Sequence, residues 1–264
     1  MKITFLGAGV FGKELGRIVT ENGHEVKFYD PYKIKDVTLE SAITAETEAI
    51  IYVAPASAAD ELLPKLPTNI PLICASKGFL SLTPFTKFKD FSALGGAAFA
   101  DDLKNETPHF GDQIVLTASS HLSEFLFSTE AIKIEYTADT FGILLCGALK
   151  NLYAIGAGLA YTKDPEFLEK YLKKVFVEFE DILFENGANP DTARLSCGLP
   201  DLLISSTADS RNFNFGVAIG KKQPLESHQT IEGLTAFEHI DEIVIPSTAS
   251  TLKSIIRSIE NATK

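Results

Sequence analysis

Basic side chains are the minority in this chain. Its 24 Lys and Arg stand against 35 Asp and Glu, a formal net charge of −11. That deficit argues against a nucleic-acid surface, though a small anionic substrate needs only a local positive site. Cysteine is scarce too: Cys74, Cys146 and Cys197, with no CxxC pair, exclude a disulfide framework and a zinc ribbon. Each reads as a small buried hydrophobe in a reducing cytoplasm. The histidines His24, His109, His121, His228 and His239 have no metal-ligand spacing, so no metal is expected. A Gly-x-Ser-x-Gly elbow, a Walker loop, a fixed-period repeat and a low-complexity tract are all missing. The apolar run at Met1–Gly9 is too short for a signal peptide. Only Asp139–Tyr161 is long and apolar enough to span a membrane, and Lys150 and Asn151 stand at its centre. A central Lys costs ~2.5–3.5 kcal/mol on insertion scales, so no membrane span is expected. What remains is an ordinary globular composition, 45% hydrophobic and 22% charged over 264 residues, enough for one large or two modest domains.

The first half alternates short apolar runs with helical patterns. Ile3–Leu6 predicts a strand, followed at once by Gly7-Ala8-Gly9-Val10-Phe11-Gly12, a helical pattern through Val19, and a second strand, Glu25–Tyr29, that closes on Asp30. Glycine loop, flanking strand and helix, and a following acid form a dinucleotide-binding pattern. Gly7, Gly9 and Gly12 let the backbone turn tightly and approach a pyrophosphate at a helix N-terminus, while Asp30 is placed for a ribose hydroxyl. Ala49–Val53 and Pro71–Ala75 predict buried parallel strands, with a short helix at Ala58–Leu66 between them. Lys77 follows the second of these strands, at the edge where open α/β sheets bind ligands. Phe91–Leu94, Gln113–Ala118 and Ile132–Tyr136 predict further strands, with a helix at Ser123–Phe127.

Beyond Thr137 the pattern turns helical, which predicts a dinucleotide-binding domain over 1–137 and an all-helical domain over 138–264. Asp139–Tyr161 is apolar on every face and predicts a helix buried all round. Gly147, Ala154 and Ala157 share a face with Lys150 and leave room beside its ammonium. A snorkelling or structurally paired lysine and a catalytic one both fit this stretch. Amphipathic spacing predicts helices over Asp164–Glu185, from Asn189, over Phe213–Ile219, from Glu232 to His239 and over Ser247–Ile259. Asp201 sits in an apolar loop-to-helix setting, and Arg211 at a helix start, where a cation is disfavoured unless an anion is present.

Taken in order, Gly7–Gly12, Val53–Pro55, Ser76–Gly78, Gly95–Leu103, Gly147–Gly158, Gly198–Leu203, Ser210–Gly216 and Thr230–Gly233 resemble the NAD(P)-dependent glycerol-3-phosphate dehydrogenases over most of the chain. The resemblance implies a Rossmann-type domain, a helical substrate domain, and hydride transfer between NAD (or NADP) and a small phosphorylated substrate, in the cytoplasm, for lipid biosynthesis. Lys150 matches the catalytic lysine, Asp201 the acid of the substrate site, and Lys77 the lysine that meets substrate and cofactor. Ser210, Arg211 and Asn212 match the grip on phosphate and glycerol. Gly96 and Asn151 fall at substrate positions, and Val10, Phe11, Ala100, Arg211, Thr230 and Glu232 at cofactor positions. The chain departs from the family in three places. Gly96-Ala97-Ala98-Phe99-Ala100 lacks the hydroxyl of Gly-Pro-Ser/Thr-Phe-Ala. Pro31–Glu48 is shorter than the usual flap. Thr162-Lys163-Asp164-Pro165 replaces a Gly- and Asn-containing turn. Two other readings are a related reductase of a small oxo or hydroxy acid, similar to ketopantoate reductase, and an inactive dinucleotide-binding relative. The apolar helical half is compatible with a homodimer.

Overall fold

The computed structural model describes residues 1–164, 166–224 and 231–263. In chain order the elements are β1 (Lys2–Leu6), α1 (Val10–Glu21), β2 (Glu25–Tyr29), α2 (Leu39–Ala42), β3 (Ala49–Tyr52), α3 (Ala59–Leu62), β4 (Leu72–Cys74), β5 (Phe91–Gly96), α4 (Ala100–Asn105), β6 (Ile114–Ala118), α5 (His121–Phe127) and β7 (Ile132–Tyr136). They continue as α6 (Thr140–Tyr161), α7 (Leu168–Glu185), α8 (Leu199–Ser205), α9 (Arg211–Gly220), α10 (Glu232–Glu238) and α11 (Ser250–Thr263). The chain divides into two compact units, residues 1–77 with 82–140 and residues 78–81 with 141–264. Residues 78–81, from within the first half of the sequence, thus belong with the helical unit.

The first unit is a Rossmann-type α/β sheet of order β2-β1-β3-β4-β5-β6-β7. β1 pairs parallel with β2 and β3, and the parallel run continues through β4 to β5; β6 is antiparallel to β5 and parallel to β7. β3 is buried at every position, as a strand covered on both faces must be, and so it reads as an unbroken apolar run. The core gathers Phe5, Leu15, Ile18, Ile51, Ile73 and Leu116 around the sheet.

Three predicted helices change form. Ala58–Leu66 is broken, with α3 flanked by 3-10 turns at Ala56–Ala58 and Leu63–Lys65. Pro64 lies in the second turn, and proline supplies no N–H for an α-helix to continue through it. The long amphipathic helix starts at Leu168 rather than Asp164, because Asp164 Oδ1 accepts from Glu166 N at 3.0 Å in a turn that precedes it. The segment from Asn189 is a 3-10 helix, Pro190–Arg194, begun by Asn189 Oδ1 accepting from Asp191 N at 3.1 Å.

Among the described residues the second unit contains helices and no strand. α6 is long and apolar enough to cross a membrane by composition, but 89% of its most apolar window is buried inside the protein. α6 and α9 cross at backbone contact: a Cβ on Gly158 would lie 2.0 Å from Phe213 O, and one on Gly216 would lie 2.0 Å from Ile155 O. Only glycine permits that approach at both points. Glu178 of α7 ties three helices together. Its carboxylate accepts from Thr251 N at 2.8 Å and Leu252 N at 3.1 Å, capping α11 from outside, and from Tyr153 Oη of α6 at 3.1 Å. Burial and the adjacent Glu178 push the Tyr153 phenol well up, which keeps it a donor. Hydrogen bonds to a charged group are worth ~1.5–3 kcal/mol each. Glu178→Ala is therefore expected to lower unfolding stability in urea by about 2–4 kcal/mol, and a loss below about 0.5 kcal/mol would show that the cap contributes little. All three cysteines are buried and outside any disulfide, and burial pushes the Cys74 thiol up to about 12, far from a reactive thiolate.

Candidate functional site

In the first unit the parallel strands β1, β3, β4 and β5 bring their carboxyl ends to one edge. The strand order reverses at β1, between β2 and β3, and ligands of open α/β sheets bind outside the strand ends at such a reversal. The three loop glycines have separate physical duties there. Gly7 has φ +112°, and a Cβ on it would lie 2.8 Å from Ala54 N in the loop after β3. A Cβ on Gly12 would lie 2.7 Å from Val53 Cγ2, so this glycine seats α1 against the sheet. At Gly9 a Cβ would meet nothing within 4 Å. No side chain caps the start of α1, and its first turn carries no acid. Open space above uncapped N–H groups at a helix N-terminus suits a pyrophosphate, so the residues fit a dinucleotide. Gly9 has φ −66° and ψ 172°, a conformation valine adopts without strain. Gly9→Val is expected to raise the NADH dissociation constant at least ~10-fold, about 1.4 kcal/mol, with melting temperature unchanged. Fluorescence titration measures it, and an unchanged constant would remove the loop from the binding site.

The neighbouring residues are placed as follows. Val10 opens α1 and is 65% exposed; Phe11 packs partly against the core. The Asp30 carboxylate is buried and engages the backbone: Oδ2 accepts from Ala8 N at 2.8 Å and Oδ1 from Tyr32 N and Lys33 N, both at 3.1 Å. A carboxylate has about four acceptor positions, so Asp30 holds the glycine loop and retains capacity for a ribose hydroxyl. Lys77 is half-buried just beyond β4. Gly96 closes β5, where a Cβ would press on Leu116 Cδ2 at 2.7 Å; it thus accommodates β6. Ala98 is buried and Ala100 opens α4.

In the second unit α6 and α8 bring Lys150 to Asp201. Lys150 Nζ lies 3.2 Å from Asp201 Oδ1, with Lys150 5% and Asp201 1% exposed. Lys150 Nζ also donates to Ser205 Oγ at 2.8 Å, and Ser205 Oγ stands 3.4 Å from Asp201 Oδ1. The sequence reading missed Ser205; its one sign is the i, i+4 spacing from Asp201, which puts both on one face of a helix. Asn151 and Asn212 are also buried and bonded to each other: Asn212 Nδ2 donates to Asn151 Oδ1 at 2.9 Å, and Asn151 Nδ2 to Gly147 O at 3.1 Å. Gly233 N donates to Asn212 Oδ1 at 2.9 Å, joining the start of α10 to this pair. Ser210 caps α9, its Oγ accepting from Phe213 N at 3.3 Å. Arg211, the first residue of α9, is half exposed and forms an ion pair with Glu232. Thr230 lies outside the described residues.

A Rossmann-type sheet followed by a helical unit that buries a lysine–aspartate pair is the make-up of a two-domain, dinucleotide-dependent dehydrogenase. Residues 139–259, which contain that pair, match the model for the NAD-dependent glycerol-3-phosphate dehydrogenase C-terminus. A glycerol-3-phosphate dehydrogenase [NAD(P)+] of Oceanobacillus iheyensis is 27% identical over 268 residues, covering 85% of this chain and 78% of the relative. One from Brucella ovis is 28% identical over 274 residues, covering 88% and 84%. The crystal structure of the Coxiella burnetii glycerol-3-phosphate dehydrogenase shares the fold, with a TM-score of 0.79 at 18% identity over 98% of both chains. The chain is similar to the NAD(P)-dependent glycerol-3-phosphate dehydrogenases over most of its length.

Proposed function

We propose that this chain is an NAD(P)-dependent oxidoreductase that interconverts dihydroxyacetone phosphate and glycerol 3-phosphate, with Lys150 as the proton donor and acceptor. The observation that carries the reading is the Lys150–Asp201–Ser205 cluster, buried in the part of the chain that matches the family. The nicotinamide, when bound, supplies or accepts the hydride. The residues of the chain handle the substrate oxygen. Reduction of the ketone leaves negative charge there, which a positioned ammonium stabilises and protonates. Asp201 keeps the Lys150 ammonium in place, and Ser205 fixes it from a second direction. Lys77 is the proposed second cation at the substrate, and Gly96 a backbone contact to it. Asn151 and Asn212, locked in their own hydrogen-bond chain, shape the wall beside the lysine.

Arg211 is the proposed phosphate ligand. Its present partner, Glu232, is itself partly exposed, and such pairs contribute ~0–1 kcal/mol. A phosphate accepting two parallel hydrogen bonds from the guanidinium therefore displaces Glu232 at small cost. Val10, Phe11, Ala100, Thr230 and Glu232 are assigned to the cofactor side, in a cytoplasmic enzyme that works alone or as a homodimer.

NAD(H) is the proposed cofactor over NADP(H), because the Asp30 carboxylate at the end of β2 repels a 2′-phosphate. Asp30→Ala is expected to narrow the ratio of kcat/KM for NADH over NADPH, and to weaken both through the freed loop. A wild-type preference for NADPH would contradict this assignment. The reaction itself is tested with three ketones and NADH, following the reduced-nicotinamide absorbance. Dihydroxyacetone phosphate should be consumed well, with unphosphorylated dihydroxyacetone and ketopantoate poor. Faster turnover of the oxo acid would instead identify a carboxylate-substrate reductase.

A further inference from the structure

We propose a second ligand site in the helical unit, for a small amphiphilic anion: a short alkyl chain bearing a phosphate or carboxylate. An open cavity of about 310 Å³ lies among α6, α7 and α11, within the size range of small-molecule pockets. None of its lining residues belongs to the Lys150–Asp201 cluster or to the Arg211 end of α9. On α6 it is bordered by Gly156, Leu159 and Ala160, and a ~3.6-residue period places Leu159 across the helix from Lys150. Phe167 and Ile255, both buried, complete an apolar floor.

The rim is charged. Lys163, Lys170 and Lys174 line the cavity, the last two one turn apart on a single face of α7. All three are exposed, and none has an ion-pair partner among the described residues. Lys173, their neighbour on α7, is by contrast paired with Glu169. One carboxylate, Asp164, faces the same space, so the mouth keeps an excess of positive charge. In a chain with a net charge of −11, three unpaired ammonium groups around an apolar floor are a local inversion of the surface. A neutral apolar ligand leaves that charge unused, and a small hydrophilic anion leaves the floor unused. A molecule with an anionic head and an apolar tail uses both: lysine holds the head as a point charge, and burial of the tail supplies about 0.8 kcal/mol per methylene.

The test is calorimetric titration of the full chain with hexyl phosphate, in parallel with heptanoate, inorganic phosphate and hexyl glucoside. The expected result is one saturable site for hexyl phosphate, with neither inorganic phosphate nor the glucoside bound comparably. Heptanoate binding equally well would support the site and show that either head group serves. Two variants locate it. Lys170→Gln with Lys174→Gln removes charge at exposed positions, and Ala160→Phe fills the cavity. Each should weaken hexyl phosphate at least ~10-fold, with melting temperature held in the lysine variant. Binding unchanged in the lysine variant would overturn the proposal, as would equal binding of the glucoside or of inorganic phosphate alone. Absence of hexyl phosphate binding in a wild type that sediments as a dimer, with the lysine variant monomeric, would also overturn it and assign the face to a second copy of the chain.

Discussion

Lys150→Met is expected to lower kcat by at least ~10³ while leaving the fold and NADH affinity within a few-fold of wild type. Removing a positioned acid–base group usually costs ~10²–10⁴ in rate, and the same ammonium also stabilises charge on the substrate oxygen. Methionine keeps a buried apolar stem at this position and deletes only the charge. The geometry adds a second expected effect. Lys150 is bonded to Asp201 inside the protein, so the variant leaves a buried carboxylate without its cation. Breaking a buried pair in this way costs ~3–5 kcal/mol in stability. Lys150→Met with Asp201→Asn removes both charges and should recover much of the melting temperature without recovering turnover. That combination separates the two roles of Lys150. A purely structural pair would show restored activity along with restored stability, and near wild-type turnover in Lys150→Met alone would remove the lysine from the chemistry.

The second large effect is expected at Arg211. Arg211→Ala should reduce kcat/KM for dihydroxyacetone phosphate by about 2–5 kcal/mol, as for truncation of one partner of a buried charge pair. Arg211→Lys keeps the charge and loses the planar fork, so it should recover only part of the loss. Unphosphorylated dihydroxyacetone, already poor, should change little in either variant. Stability should hardly move, because the residue is half exposed and its pairing with Glu232 is a surface contact. Equal losses for the phosphorylated and unphosphorylated ketones would place Arg211 away from the phosphate.

The dinucleotide half was legible in the sequence because its signals are local. A strand, a glycine loop and a helix follow one another without interruption from Lys2 to Glu21, and each glycine has a duty visible in its own surroundings. The buried strands β3 and β4 announce themselves as unbroken apolar runs. Direction was not legible: nothing in Ile114–Ala118 tells that β6 runs antiparallel to β5, since a strand's pattern is the same either way. Nor does composition assign residues 78–81 to the helical unit.

In the candidate site, residue type singled out Lys150 and Asp201, because a lysine in an apolar helix demands a partner. Ser205 carries no such demand, since serine is common in helices and satisfied in many ways, and only the packing of α8 on α6 reveals it. The same limit applies to Asp30. Its position predicts a ribose contact, whereas the fold also gives it three backbone N–H groups to hold. Hydrogen bonds that join distant segments, such as Asn151 to Asn212, depend on the register of two helices, which is fixed by Gly158 and Gly216 at their crossing.

The most direct measurement follows the hydride itself. The purified chain is incubated with dihydroxyacetone phosphate and NADH deuterated at the transferable position of nicotinamide C4, and the product is read by mass spectrometry. The expected product is glycerol 3-phosphate with one deuterium on its central carbon, formed by wild type and at least ~10³ more slowly by Lys150→Met. NADH binding that leaves dihydroxyacetone phosphate unreduced, or product without the deuterium, would contradict the assignment of this chain as a dehydrogenase of that substrate.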